Sequence, residues 1–165
     1  MVHAPATMRM LACFGLALLV AACSTPSYPI IDGTWQVTES FADAVHQLSC
    51  ESVGVFVITQ DAASEPGETR PEPTFTGSLI NDNDCVSVDG PFTYVGQGGL
   101  TRGTITTRPF AVRFDADVND ADCSYFGLLR GEDDRATEID GTLECTLEQA
   151  GVVFEFEGVW AAVRQ

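Results

Sequence analysis

The side chains able to do distinctive chemistry in this chain are few. They are six cysteines (Cys13, Cys23, Cys50, Cys85, Cys123 and Cys145), the histidines His3 and His46, and the carboxylate run DADVNDAD at residues 115–122. Thiols can cross-link, ligate metal or carry an acyl group. No C-x-x-C pair is present, so the spacing of a structural zinc site is missing. The acidic run places Asp115, Asp117 and Asn119 at the first, third and fifth positions of a calcium-loop pattern, but Asp120 stands where glycine belongs and Phe126 where glutamate belongs. An EF-hand is excluded, and a solvated acidic turn is expected. His46 lies in SFADAVHQL, read as a helical turn, and is assigned a solvated or helix-end role. There is no G-x-S-x-G elbow, no H-E-x-x-H and no glycine loop followed by lysine. From these residues the chain is expected to lack catalytic residues, not to be an enzyme, and to need neither a metal nor an organic cofactor.

The cysteines divide once their surroundings are read. Cys23 ends LLVAACST, just after the apolar run MLACFGLALLV at residues 10–20, and Arg9 is the only charged side chain ahead of that run. A spanning helix needs about 20 apolar residues, whereas a secretory h-region needs about 7–15. The order Val20-Ala21-Ala22-Cys23 resembles the lipobox of bacterial lipoproteins. The resemblance implies cleavage before Cys23, a diacylglyceryl group on its sulfur and a further fatty-acyl chain, such as palmitate, on the new amino terminus. Each buried methylene contributes about 0.8 kcal/mol, so two or three chains hold where one is marginal. By the same resemblance the protein is lipid-anchored in a bacterial cell envelope. Ser24 after the cysteine favours the outer membrane where the envelope has two membranes. Residues 1–22 are then the signal peptide, residues 23–31 the lipidated cysteine with a short proline-containing tether, and residues 32–165 a single domain.

Charge narrows the partners. The formal net charge is −16, and every one of the eight basic residues is arginine. Such a balance argues against nucleic acid and against direct adhesion to anionic lipid, and suits solubility or steering of a basic partner. Export would place Cys50, Cys85, Cys123 and Cys145 in an oxidising compartment, where four cysteines read as two disulfides.

The strand pattern selects the pairing. Folding CSYFGLLRGEDDRATEIDGTLEC as an antiparallel hairpin about residue 134 sets Leu129 against Ile139, Gly127 against Gly141, Tyr125 against Leu143, and Cys123 against Cys145. One face is then apolar, as period-two alternation requires. A second hairpin, turning within DAASEPGETRPEP, sets Phe56 against Leu79, Ile58 against Gly77, and Cys50 against Cys85. Directly opposed cysteines can fall within disulfide reach. The two hairpins share a coarse order that hints at duplication.

The remaining chain also alternates. Trp35, Val37, Glu39 and Phe41 share one face of GTWQVTESF, and Phe110, Val112, Phe114 and Ala116 one face of PFAVRFDAD. Phe154, Phe156, Gly158, Trp160 and Ala162 share one face near the C-terminus, and GGLTRGTITTRP adds a threonine-rich strand. About eight or nine strands with Gly, Asp, Asn and Pro punctuation predict an all-β fold, an antiparallel up-and-down barrel or else a β-sandwich. GTW at residues 33–35 is similar to the glycine-x-tryptophan motif of lipocalins and other calycins. The resemblance implies a calycin-like barrel whose tryptophan plugs the closed end and packs near a late-strand arginine, for which Arg164 is the nearest candidate. The interior is expected to be either hollow or filled by its own side chains. Two roles follow: a binding or structural module for a small apolar ligand or a partner, or an envelope inhibitor of a basic hydrolase such as lysozyme.

Overall fold

The computed structural model describes residues 28–61, 73–107, 109–132 and 135–165. The signal-like segment, Cys23 with Ser24–Ser27, and most of the loop DAASEPGETRPEP lie outside the described residues. Eight strands follow one another: β1 (Gly33–Asp43), β2 (Leu48–Gln60), β3 (Thr74–Ser87), β4 (Gly90–Thr107), β5 (Phe110–Val118), β6 (Ala121–Glu132), β7 (Arg135–Gln149) and β8 (Val152–Arg164). Each pairs antiparallel with its neighbours in sequence, and β8 returns to β1, closing an up-and-down barrel. Closure leaves no free sheet edge, which sets the sandwich aside. Among the described residues there is no helix.

Both hairpin registers derived from residue type are the registers observed. Cys50 faces Cys85, Phe56 faces Leu79 and Ile58 faces Gly77. Cys123 faces Cys145, Tyr125 faces Leu143 and Leu129 faces Ile139. Sulfur joins each cysteine pair, at 2.02 Å for Cys50–Cys85 and 2.08 Å for Cys123–Cys145. The tight connections have the chemistry their geometry demands. Asn119-Asp120 joins β5 to β6 with φ of 48° and 69°, and Ala150-Gly151 joins β7 to β8 with φ of 53° and 79°. Both sites have the two left-handed residues of a type I′ hairpin turn, whose twist matches that of the flanking strands.

Two expectations are corrected here. SFADAVHQL forms no helical turn: β1 continues to Asp43, and residues 44–47 make a tight turn into β2. The Asp43 carboxylate accepts the backbone N–H of Val45 at 2.8 Å and of His46 at 3.0 Å, and Gln47 closes the turn at φ 53°. A side chain that satisfies its own downstream amides competes with helix formation. Phe110, placed with the inward face, is instead exposed at the start of β5, because Ala111 and Val112 are both buried there.

One end of the barrel is closed and solid. Trp35 and Ile31 are fully buried, and the Trp35 indole Nε1 donates to the Ile31 carbonyl at 2.9 Å. The Arg164 guanidinium lies 4.7 Å over the Trp35 ring and donates to the carbonyls of Ala136 at 2.8 Å, Ile30 at 2.7 Å, and Asp32. The tryptophan–arginine arrangement expected from GTW is therefore present. Gly33 makes it possible: its φ is 125°, and a Cβ there would stand 3.1 Å from the guanidinium. Above Trp35, Phe56, Phe75, Phe114, Tyr125 and Trp160 pack mostly edge to face, with Phe114 and Tyr125 stacked at 4.6 Å.

Candidate functional site

The other end of the barrel is hollow. A cavity of about 430 Å³ opens between the ends of the eight strands, each of which contributes to its lining. Its volume is that of a pocket for one small molecule, within the usual range of about 300–1,000 Å³. An eight-stranded barrel is just wide enough for side chains to fill it or for one ligand to occupy it. Here one end is filled by side chains and the other is open.

The walls are apolar and aromatic. Phe41 and Phe156 meet edge to face at 5.7 Å, Phe154 stacks on Phe156 at 6.4 Å, and Phe92 stacks on Tyr94 at 6.3 Å across the mouth. Leu143, Leu147, Val118 and Ala121 complete the lining with the disulfide sulfurs of Cys50 and of the Cys123–Cys145 pair. The two bridges thus brace the rim of the hollow end, β2 to β3 and β6 to β7.

The floor is polar, which alternation alone did not announce. Glu39 on β1 and Asn81 and Asn83 on β3 point inward and are 4%, 5% and 2% exposed. Tyr125 spans the two regions: its ring stacks in the packed half, and its hydroxyl donates to Glu39 Oε1 at 2.9 Å. Asn81 Nδ2 donates to Glu39 Oε2 at 2.8 Å, and Asn83 Nδ2 donates to Asn81 Oδ1 at 3.2 Å. Gly96 on β4, opposite Asn81, leaves the space that this amide occupies; a Cβ there would fall 1.9 Å from Asn81 Oδ1.

Electrostatics follow from this burial. Desolvation raises the Glu39 carboxyl above its ordinary value, against the side chains of Tyr125, Asn81 and Ser52, which favour the anion. Burial, then the Glu39 charge, push the Tyr125 hydroxyl well above its ordinary value and raise that of Tyr94 as well. Both phenols therefore stay protonated. At the rim, burial alone would raise Asp43, but hydrogen bonds from the His46 ring and from the backbone N–H of His46 and Glu155 outweigh it and hold the carboxyl at about 2. The His46 Nδ1–Asp43 Oδ2 distance is 2.7 Å, and the imidazole sits 4.6 Å from the Phe154 ring.

The structure distributes the residues singled out in the sequence unevenly. Cys50, Cys85, Cys123 and Cys145 pair at the rim, while Cys23 lies outside the described residues. His46 serves the turn between β1 and β2 as the partner of Asp43. Asp115 and Asp117 point outward from β5, and Asn119 braces β4, donating to the Val95 carbonyl at 2.8 Å and accepting the Gln97 N–H at 3.2 Å. In NDND, Asp82 and Asp84 face solvent while the two asparagines face the cavity. Among the described residues no group of three or more His, Cys, Asp or Glu could hold a metal ion. Glu39, Asn81 and Asn83 had been passed over as site residues. Their signal was available: each is a polar side chain on the inward register of an otherwise apolar alternation.

Comparison with known proteins gives little beyond architecture. No family model matches the chain, and no curated protein does. Among solved structures, the S-type phycobiliprotein lyase CPES from Guillardia theta is similar over 82% of this chain and 88% of its own, with a TM-score of 0.48 and 12% identity. That neighbour is named as a lyase, and the expectation that this chain is not an enzyme is withdrawn. Catalytic groups on the inward face of a barrel need carry no linear motif, so the missing motifs exclude nothing. Neither substrate nor activity passes to this chain at that similarity.

Proposed function

We propose that this protein is a lipid-anchored envelope barrel that takes up one small, predominantly apolar ligand in its hollow end. The observation that carries the reading is the contrast within one closed barrel: a solid, arginine-pinned base and a rim cavity of about 430 Å³ walled by aromatic rings. A domain evolved only for stability gains from filling such a space, since cavities cost dispersion contacts and burial. The disulfides at the rim supply rigidity where packing is absent. The anchor rests on the sequence VAAC at residues 20–23, and the partner it implies is the membrane, through lipid on Cys23.

Two experiments test the two parts. Protein expressed from the full chain and purified without detergent is extracted into organic solvent and weighed by mass spectrometry. One small molecule per chain is expected, or stoichiometric uptake of a neutral naphthyl probe if the cavity arrives empty. A chain that yields no molecule and takes up no apolar probe overturns the binding role. Metabolic labelling with a fatty-acid probe is expected to tag the native chain and not Cys23→Ser. Equal labelling of both would overturn the anchor.

A further inference from the structure

The cavity floor is organised around a single carboxylate, Glu39. Three donors converge on it: Asn83 Nδ2 reaches Asn81 Oδ1, Asn81 Nδ2 reaches Glu39 Oε2, and the Tyr125 hydroxyl reaches Glu39 Oε1. The chain of donors ends on a carboxylate, and two buried atoms have no partner among the described residues: Ser52 Oγ, on the facing residue of β2, and the acceptor Asn83 Oδ1. A buried acceptor with no donor bears its full desolvation penalty in a folded protein. Such a group in a native interior asks for an explanation, and this one lines the cavity.

We infer that the ligand presents a protonated amine to this floor, its N–H groups donating to Asn83 Oδ1 and Glu39 while its apolar body lies among the rings of Phe41, Phe154 and Phe156. This rests on the reading that the hollow end binds a ligand at all, and adds the chemistry of the buried end. Three observations agree. No arginine or histidine is among the described residues lining the cavity, so Glu39 has no internal counter-ion. Aromatic faces attract cations, and the Phe41, Phe156, Phe92 and Tyr94 rings surround the space above the carboxylate. The chain's charge of −16 steers cations toward it and repels carboxylates. A fatty acid would set a second carboxylate beside Glu39. A neutral alcohol could satisfy Asn83 but would leave the Glu39 charge uncompensated. The raised Glu39 carboxyl fits the same account, because a bound ammonium would offset the desolvation that raises it.

The test uses three compounds of one shape: 2-(1-naphthyl)ethylamine, 2-(1-naphthyl)ethanol and 1-naphthylacetic acid, titrated calorimetrically into the native protein and into Glu39→Gln. The amine is expected to bind the native protein about tenfold or more tighter than the alcohol, the margin of a charge-assisted hydrogen bond, with the acid weakest. Glu39→Gln is expected to bring amine and alcohol within about twofold of each other. Circular dichroism confirms that the variant is folded. Equal binding of amine and alcohol by the native protein, or an amine preference that survives in folded Glu39→Gln, overturns this inference and leaves the ligand-binding reading standing. Failure of both amine and alcohol to bind overturns that reading itself.

Discussion

Trp35 and Glu39 lie four residues apart on the same inward face of β1, yet they belong to different interiors. Trp35 is wedged under Arg164 in a base where aromatic rings pack edge to face. Glu39 stands at the floor of a space that side chains do not fill. The same holds on β3, where Leu79 packs and Asn81 and Asn83 do not. One continuous sheet therefore builds a part that holds the fold and a part that is held open. Stability is expected to be concentrated in the first and recognition in the second.

The strongest attempt to break this division is truncation on either side of it. Trp35→Ala removes a fully buried indole and its hydrogen bond, and is expected to cost about 3–5 kcal/mol, most of a small domain's stability. Phe154→Ala, at the partly exposed rim, is expected to cost less than about 1.5 kcal/mol while weakening ligand binding. Urea titration of both variants checks this, and similar losses would mean that the two halves are one core.

Next in size are the disulfides. Replacing Cys123 and Cys145 by serine removes a bridge spanning 22 residues and is expected to cost about 2–5 kcal/mol. The rim should suffer first: hydrogen exchange is expected to speed up around β6 and β7 more than at the Trp35 end. Uniform acceleration would place the bridge's effect on the whole barrel.

Glu39→Gln sharpens the contrast through pH. A carboxyl raised on folding is most compatible with the native state when protonated. Its stabilising contribution is thus full below the unfolded value of 4.5 and is lost as pH rises through the raised folded value. The variant is expected to raise the thermal midpoint by a few degrees at neutral pH and by nothing near pH 4. This is the stability that a binding group gives up. Asp43→Asn runs the other way and is smaller. Its folded value of about 2 lies below the unfolded 3.8, so its contribution is present above pH 3.8 and lost as pH falls toward 2. Acid titration of the variant should lack that component and lose some stability at neutral pH.

The fold was readable because two local regularities coincide. Apolar alternation sets which face is inward, and four opposed cysteines fixed two registers, so β2–β3 and β6–β7 could be aligned without coordinates. The cavity was not readable in the same way. Period two says which side chains face inward but not whether they meet across the barrel, since that depends on partners far apart in sequence: Tyr125 reaches Glu39 across 86 positions. Glu39 reads in the sequence as one member of an apolar stripe, and the inward-facing Asn81 and Asn83 carry no motif of their own. His46 was misplaced because SFADAVHQL has helix-like composition, whereas Asp43 captures the amides that a helix would need.

If the rim end is an open binding cavity, a bulky side chain that plugs its mouth must abolish binding. Ala121 lines the mouth, so Ala121→Trp places an indole where the ligand would enter. The native chain is expected to bind 2-(1-naphthyl)ethanol one-to-one, with heat that disappears in Ala121→Trp while the urea midpoint is unchanged or raised. Binding that persists at full stoichiometry in a folded Ala121→Trp protein would contradict the account, because the ligand would then lie elsewhere than in the hollow of the barrel.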